Sequence, residues 1–398
     1  MDLSYIRPPV DKAILKEELS HRHFLRKTNY GNKEIYVTTA HRSPNVMQEI
    51  GRLRELSFAS EGGGTGKAVD IDEYDMLPDP YCFKQLIVWD PVEEEIVGGY
   101  RFIHGTNMYR NEEGEFLTPM SHMYEYSEEF IENYLPYTIE MARAWVQPAY
   151  QPSTNLRKGM YSLDNLWDGL GAVGVEVPET HYFMGKLTTY ASMDSYIKSL
   201  LFCFLRKHFP DPEGLVTPRE PLHMEVDLNE MARVLNANNY KDDFKILQHE
   251  ARQRNVMVPP LFGAYMNLSP TLRTFGSTFN AEFGDTEDTG IMVKLADIFP
   301  EKRSRYFETY DEKNSLFDRK HLFRINLRRL PWWRNHQYDD PEERRNMLNL
   351  KKMKKARVRS ESVRDEQSKK ERKAQRKARR QQMMSNIPLP KRKKIKGR

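Results

Sequence analysis

Pro136-Tyr-Thr-Ile-Glu-Met-Ala-Arg-Ala-Trp-Val146 is the stretch that decides how the chain is read. Its β-branched and aromatic residues spell a strand. Two of its members, Glu140 and Arg143, do not suit a buried strand, because a charge taken out of water needs a partner or a hydrogen bond. Two readings follow. The strand lies at an edge with both charges solvated, or it carries a carboxylate and a guanidinium beside a substrate channel.

Working outward toward the N-terminus, Lys33 to Thr39 reads as a first strand, preceded by a short helical pattern from Val10 to Leu25. Ser43 and Pro44 read as N-cap and first residue of a helix in which Val46, Ile50, Leu53 and Leu56 share a face. Arg52 and Arg54 ride on that helix, and alone they suit a solvated face. Glu61-Gly-Gly-Gly-Thr-Gly-Lys67 ends it and resembles a phosphate loop only at a glance: Glu61 stands where the first glycine belongs, and Ala68 where Ser or Thr would hold magnesium. It reads as a mobile loop covering a substrate. Asp70-Ile-Asp-Glu-Tyr-Asp75 is an acidic loop without the spacing of a calcium-binding EF-hand. Phe83 to Trp89 and Glu95 to His104 form a hairpin. Its second strand carries Gly98-Gly99-Tyr-Arg101, where glycine marks a bulge or the close approach of a ligand, with Arg101 aimed at whatever approaches.

Toward the C-terminus, the turn-rich Gln147 to Pro152 leads to a helix at Leu163–Val175, a strand at His181–Gly185 and a helix at Met193–Phe209. Helices at Asp227–Asn236 and Asp242–Arg254 follow. Leu261–Leu268, Thr271–Phe283 and Gly290–Leu295 read as late strands. The order is mixed α/β without the regular alternation, or the Gly-x-Gly-x-x-Gly, of a doubly wound nucleotide fold.

Composition narrows the class. The 398 residues support a full-sized core. Cys82 and Cys203, far apart, suit a reducing compartment and exclude a cysteine zinc cage, and no other metal site is expected. The N-terminus lacks a signal-peptide pattern, and no run approaches the roughly 20 apolar residues of a membrane span. A cytoplasmic location, at most peripheral on the inner membrane face, is expected. Residues 341–398 hold 23 Lys or Arg against 6 Asp or Glu, while 1–340 hold 39 against 51: an acidic body with a basic tail. The expected segments are an N-terminal extension (1–30), a catalytic domain (31–300), an amphipathic connector (301–340) and a basic tail (341–398). The tail reads as a solvated extension, with an anionic membrane surface as its functional target. Leu322–Trp333 before it has interfacial character. Nucleic acid or the ribosome is the rival partner.

Arg52-x-Arg54, Asp72-x-x-Asp75, Gly98-x-x-Arg101 and Glu140-x-x-Arg143, in that order and spacing, resemble the acyl-homoserine-lactone synthases. They resemble more closely the ornithine-lipid type of acyl-ACP N-acyltransferase; both belong to the GNAT-like superfamily. Pro259-Pro-Leu-Phe-Gly-Ala-Tyr265 continues that pattern, and Asn45 to Tyr100 is most similar to the glycine-lipid N-acyltransferases of Bacteroidetes. The resemblance covers roughly residues 10–300. It implies a GNAT-like central mixed sheet flanked by helices, with no bound cofactor. It implies transfer of a long 3-hydroxyacyl group from acyl carrier protein, or coenzyme A, to the α-amino group of glycine or ornithine. Glu140-Met-Ala-Arg143 departs from the usual Glu-Leu-Gly-Arg and leaves the acceptor open. The two prolines after the central strand favour the carrier protein as donor, and the missing His-x-x-x-x-Asp leaves any second acylation to a separate O-acyltransferase.

Glu140 is the implied base. Arg101 and Arg143 either hold the acceptor's carboxylate or pair with Asp72 and Asp75. Arg52 and Arg54 join that network or face the acidic carrier. The competing functions are a homoserine-lactone-like signal synthase, and a basic-tailed RNA- or ribosome-binding protein with an inactive acyltransferase body.

Overall fold

A computed structural model describes residues 3–190, 192–223 and 228–310. Ten strands occur among them: β1 (Phe24–Lys27), β2 (Glu34–Thr38), β3 (Lys84–Asp90), β4 (Glu95–His104), β5 (Tyr124–Tyr126), β6 (Thr138–Val146), β7 (Tyr182–Thr189), β8 (Val216–Pro218), β9 (Arg273–Asn280) and β10 (Thr286–Lys294). The helices are α1 (Lys12–Glu18), α2 (Pro44–Ala59), α3 (Glu73–Met76), α4 (Pro119–Met123), α5 (Leu156–Gly159), α6 (Ser162–Glu176), α7 (Ser195–His208), α8 (Leu228–Val234), α9 (Tyr240–Gln253), α10 (Pro260–Met266) and α11 (Pro300–Tyr306). Eight strands form one sheet in the order β1-β2-β3-β4-β6-β7-β10-β9; β5 and β8 form a separate pair.

The sheet is antiparallel except where β6 meets β7. That parallel ladder pairs only Thr138–Glu140 with Tyr182–Met184, although β6 runs on to Val146 and β7 to Thr189. The two strands therefore part just beyond Glu140, leaving a V-shaped opening at their C-terminal ends. The central stretch is an inner strand, not an edge.

One face of the sheet is covered by α6 and α7, which bury Leu166, Leu170, Val173, Leu200 and Phe204 against Leu86, Phe102, Met141 and Phe183. The other face carries two smaller clusters. In one, Val46, Ile50 and Leu53 of α2 meet Ile87 and Trp89. In the other, Met120, Phe130 and Leu135 of the segment between β4 and β6 meet Ile103 and Met184. Ser43 precedes α2, but its hydroxyl pairs with Thr38 at 2.8 Å; Glu18 instead accepts the Val46 amide at 2.9 Å and satisfies the helix start from outside.

Two expectations are corrected. The segment Leu261–Leu268 is helical: α10 starts with Pro260 at its first position, the place where a proline's missing N–H costs nothing. The helical pattern from Val10 to Leu25 stops at Glu18, and Phe24–Lys27 joins the sheet beside β2, so a boundary at residue 30 cuts the sheet. Of the two readings of Gly98 and Gly99, the bulge is present, with the register shifting after Gly99, and the close approach is made by the neighbouring strands: a Cβ at Gly98 would lie 2.4 Å from the Trp145 carbonyl oxygen, and one at Gly99 2.6 Å from that of Leu86. Among the described residues no helix is long and apolar enough to cross a membrane. The basic tail and the Leu322–Trp333 segment lie outside the described residues.

Candidate active site

Opposite Gly98–Arg101, β6 carries one residue too many. Gly99 faces Trp145 and Arg101 faces Ala142, so Arg143 and Ala144 together oppose Tyr100. This is a bulge, and Arg143 takes φ +51, a left-handed backbone that costs a side-chain-bearing residue energy. The distortion sits where β6 leaves β7, and it turns the Arg143 side chain toward the acidic segment after α2.

That segment is less loop-like than its composition suggests. Asp72 caps α3, accepting from the Tyr74 and Asp75 amides, and the Asp75 carboxylate accepts the Asp72 amide in return. The cap presents both carboxylates to two buried arginines. Arg101 Nη1 donates to Asp72 Oδ1 at 2.6 Å and to Asp75 Oδ2 at 3.0 Å; Arg54 Nη1 donates to Asp75 Oδ2 at 3.1 Å. Gln85, on β3 beside Arg101, donates to Asp75 Oδ1 at 2.8 Å and accepts from Arg54 Nη2. Arg143 Nη2 donates to Asp70 Oδ1 at 3.1 Å; its Nε lies 2.8 Å from Asp70 Oδ2 but off the hydrogen-bond line, an ion pair only. Burial works against the Asp72 anion, but the Arg101 charge and hydrogen bond outweigh it and hold its carboxyl well below the ordinary range. Three guanidiniums thus face three carboxylates in a nearly dry interior.

The network gathers Arg54, Asp72, Asp75, Arg101 and Arg143. It excludes Arg52, which pairs with Glu49 of its own helix at 2.6 Å. Arg54 is wholly buried, so it presents nothing to a carrier protein. Sequence reasoning passed over Asp70 and Gln85. Asp70 stood in the quoted acidic run without a motif partner, and a glutamine in a strand carries no signal until its neighbours are known.

Glu140 stands apart from these ion pairs, at the apex of the opening. It is wholly buried. The Met120 amide of α4 donates to Oε1 at 3.0 Å, while Oε2, near Thr118, has no well-aligned hydrogen-bond partner among the described residues. Burial pushes its pKa up to about 7, against the pull of Thr118, the Met120 amide and the more distant Lys186 and Arg101 charges. Tyr126, whose hydroxyl is buried beside Thr118, is near enough that the Glu140 charge, after burial, raises its pKa too. A buried carboxyl titrating near 7 with one oxygen not tied up by a neighbour has the properties of a general base.

The rim of the opening is closed by a second set of contacts. The Phe283 ring, in the turn between β9 and β10, packs edge-on against Phe58 at 5.0 Å, and the Arg143 guanidinium stacks on it at 4.2 Å. The glycine-rich segment lies beside it: buried Glu55 accepts the Thr65 and Gly66 amides, and a Cβ at Gly284 would meet the Gly63 Cα at 2.7 Å. The segment serves this packing, not a phosphate.

The family model described as an acetyltransferase (GNAT) domain matches residues 53–158, a span that includes every member of the network and Glu140. The chain is similar to the glycine N(alpha)-acyltransferase of Bacteroides thetaiotaomicron, at 48% identity over 306 residues, covering 77% of this chain and 90% of that protein. It is also similar to the protein of the same name from Phocaeicola vulgatus, at 47% identity over 302 residues, covering 76% and 92%. No solved structure matches the chain.

Proposed function

We propose that this chain, which belongs to the glycine N(alpha)-acyltransferase family, moves a long 3-hydroxylated acyl group from acyl carrier protein onto the α-amino group of glycine, in aminolipid synthesis. The GNAT fold and the N-acyltransferase class follow from that membership and from the matched domain; the donor, the acceptor and the residue roles are our reading. The observation that carries it is Glu140: a buried carboxyl, one oxygen without a well-aligned hydrogen-bond partner among the described residues, at the apex where β6 and β7 separate.

The acceptor arrives as an ammonium, which has no lone pair. Glu140 takes its proton, directly or through one water. The amine nitrogen attacks the thioester carbonyl, a C–N bond forms, and the oxyanion is met by backbone N–H groups of the Ala142–Ala144 stretch. The C–S bond breaks and the thiolate leaves with the proton that Glu140 had taken, while the second surplus proton of the nitrogen passes through the emptied Glu140 carboxylate to water, so that the products are amide, thiol and one released proton. The ion-pair network holds the bulge in β6, and so the aim of that stretch, rather than touching substrate. Arg143, nearest the rim, is the member available to the acceptor's carboxylate.

The carrier-protein donor is supported by the segment after β6. Pro148 and Pro152 have no N–H, and the amides of Tyr150, Gln151, Thr154, Asn155 and Gly159 all donate to carbonyls within the segment. Those amides are therefore already occupied and are not offered to a diphosphate.

The test is a reaction of the purified chain with 3-hydroxyacyl carrier protein or the matching coenzyme A thioester, offered glycine and ornithine together. Product is read by mass spectrometry. N-(3-hydroxyacyl)glycine from the carrier-bound donor is expected. Equal use of the coenzyme A thioester would remove the carrier preference, and an ornithine product would replace the acceptor.

A further inference from the structure

Four of the exposed large apolar side chains gather in one patch at one end of the sheet. Val92 is 83% exposed, Leu156 66%, Met160 53% and Tyr30 50%. They come from three segments that touch. Val92 is in the β3–β4 turn. Leu156 and Met160 lie one helical turn apart along α5 and its cap, so they share a side. Tyr30 is in the β1–β2 turn and stacks on Tyr161 at 5.4 Å. Lys158 joins α5 to the β3–β4 turn through Glu93 at 2.9 Å. All three segments lie at the C-terminal end of β6, the end at which β6 and β7 part.

Much of the charge at this end is matched internally. Glu93 pairs with Lys158, Glu94 with Lys16, Glu95 with Lys12 and Asp90 with Lys33. With those four cations spent on neighbouring carboxylates, exposed Arg157 on α5 and Lys27 at the end of β1 are what is left, two separated charges that offer little to an acidic protein domain. What remains unsatisfied is apolar area carried on projecting turns, the form suited to shallow burial among lipid headgroups.

We infer that this end of the folded body, formed by Tyr30, Val92, Leu156 and Met160, inserts into the interface of a lipid bilayer, so that an N-acylated product leaves the opening between β6 and β7 directly into the membrane. The role given to the product rests on the function proposed above; the surface itself does not depend on it.

Cys82 and Cys203 are both buried, so a cysteine placed at the surface can be labelled selectively. The full chain carrying Leu156→Cys or Met160→Cys is labelled with an environment-sensitive fluorophore. A third sample, Glu113→Cys, lies in the loop beyond the opposite end of β4. Vesicles of phosphatidylcholine and phosphatidylethanolamine, with no anionic lipid, give the basic tail nothing to attract it. The expected result is a blue-shifted, brighter signal at 156 and 160, quenched by bilayer-embedded quenchers, with no change at 113. Leu156→Asp with Met160→Asp should lower partitioning to these vesicles roughly tenfold per side chain.

Vesicle binding without a response at 156 and 160 would overturn the inference, as would no binding. A response to acyl carrier protein but not to vesicles would also overturn it and give the surface to the donor. The fluorophore reads insertion without turnover. Insertion in a chain that makes no N-acyl amino acid would therefore defeat the proposed function and leave the surface standing.

Discussion

Asp75→Asn tests whether the buried charges hold the site together. The Asp75 carboxylate is wholly buried and accepts from Arg54, Arg101 and Gln85. The substitution keeps the shape and removes one of three negative charges facing three guanidiniums, two of them wholly buried. Breaking a buried pair from one side costs about 3–5 kcal/mol, because the partner stays behind uncompensated. Against a total stability of roughly 5–15 kcal/mol, that lowers Tm on the order of 10 °C for a body of this size. Thermal and urea melts followed by circular dichroism read it. Arg52→Ala, two residues from Arg54 on the same helix, loses only the pair with Glu49 and should cost about 1 kcal/mol. The pH dependence has a definite sign. Asp72 titrates below its ordinary range, so its contribution is present above about pH 4 and is lost as the pH falls through the native pKa. If Asp75→Asn melted within about 2 °C of the parent while KM rose, the carboxylate would be a substrate ligand and the structural role would be refuted.

Glu140→Gln should fold and lose about 100- to 10,000-fold in kcat, while the parent's rate rises with pH through about 7 as the base ionises. Because the native carboxyl binds its proton more tightly than the unfolded one, the parent loses stability as pH rises from about 4.5 to 7. The glutamine variant, free of that loss, should be more stable above pH 8 by up to about 3 kcal/mol; equal melts at pH 8.5 would contradict the buried ionisation. Gly98→Ala places a methyl against the Trp145 carbonyl and should spoil the bulge, destabilising by about 1–3 kcal/mol and lowering kcat more than it raises KM. Arg143→Lys cannot keep both the Asp70 contact and the stack on Phe283; a roughly tenfold loss in kcat/KM is expected from lost orientation, and unchanged kinetics would make Arg143 dispensable.

The central strand, the hairpin before it and the helices around Leu53, Leu170 and Leu201 were legible in the sequence, because long apolar periodicities survive any tertiary context. β1 was not: Arg26 and Lys27 break its alternation, and it follows directly on a helical pattern. Nor was α10, whose seven apolar and aromatic residues fit either periodicity, although Pro260 after Pro259 was a usable start signal. The charged members of the network could be named from motif order. Their partners could not, because Asp70 meets Arg143, and Gln85 meets Asp75, only through the cap of α3 and the bulge in β6. The glycine pair at 98–99 did mark a bulge, but what comes close to it is another strand, which the sequence alone does not distinguish from a ligand.

The most direct measurement is mass spectrometry of N-acyl amino acids formed by the purified chain and its Glu140→Gln variant, from 3-hydroxyacyl carrier protein and glycine, between pH 5 and 9. The expected result is N-(3-hydroxyacyl)glycine from the parent, with a rate that climbs through about pH 7, and a flat trace near background from the variant. An amide made equally by both proteins at neutral pH would remove Glu140 from the chemistry and contradict the proton transfer on which the mechanism rests.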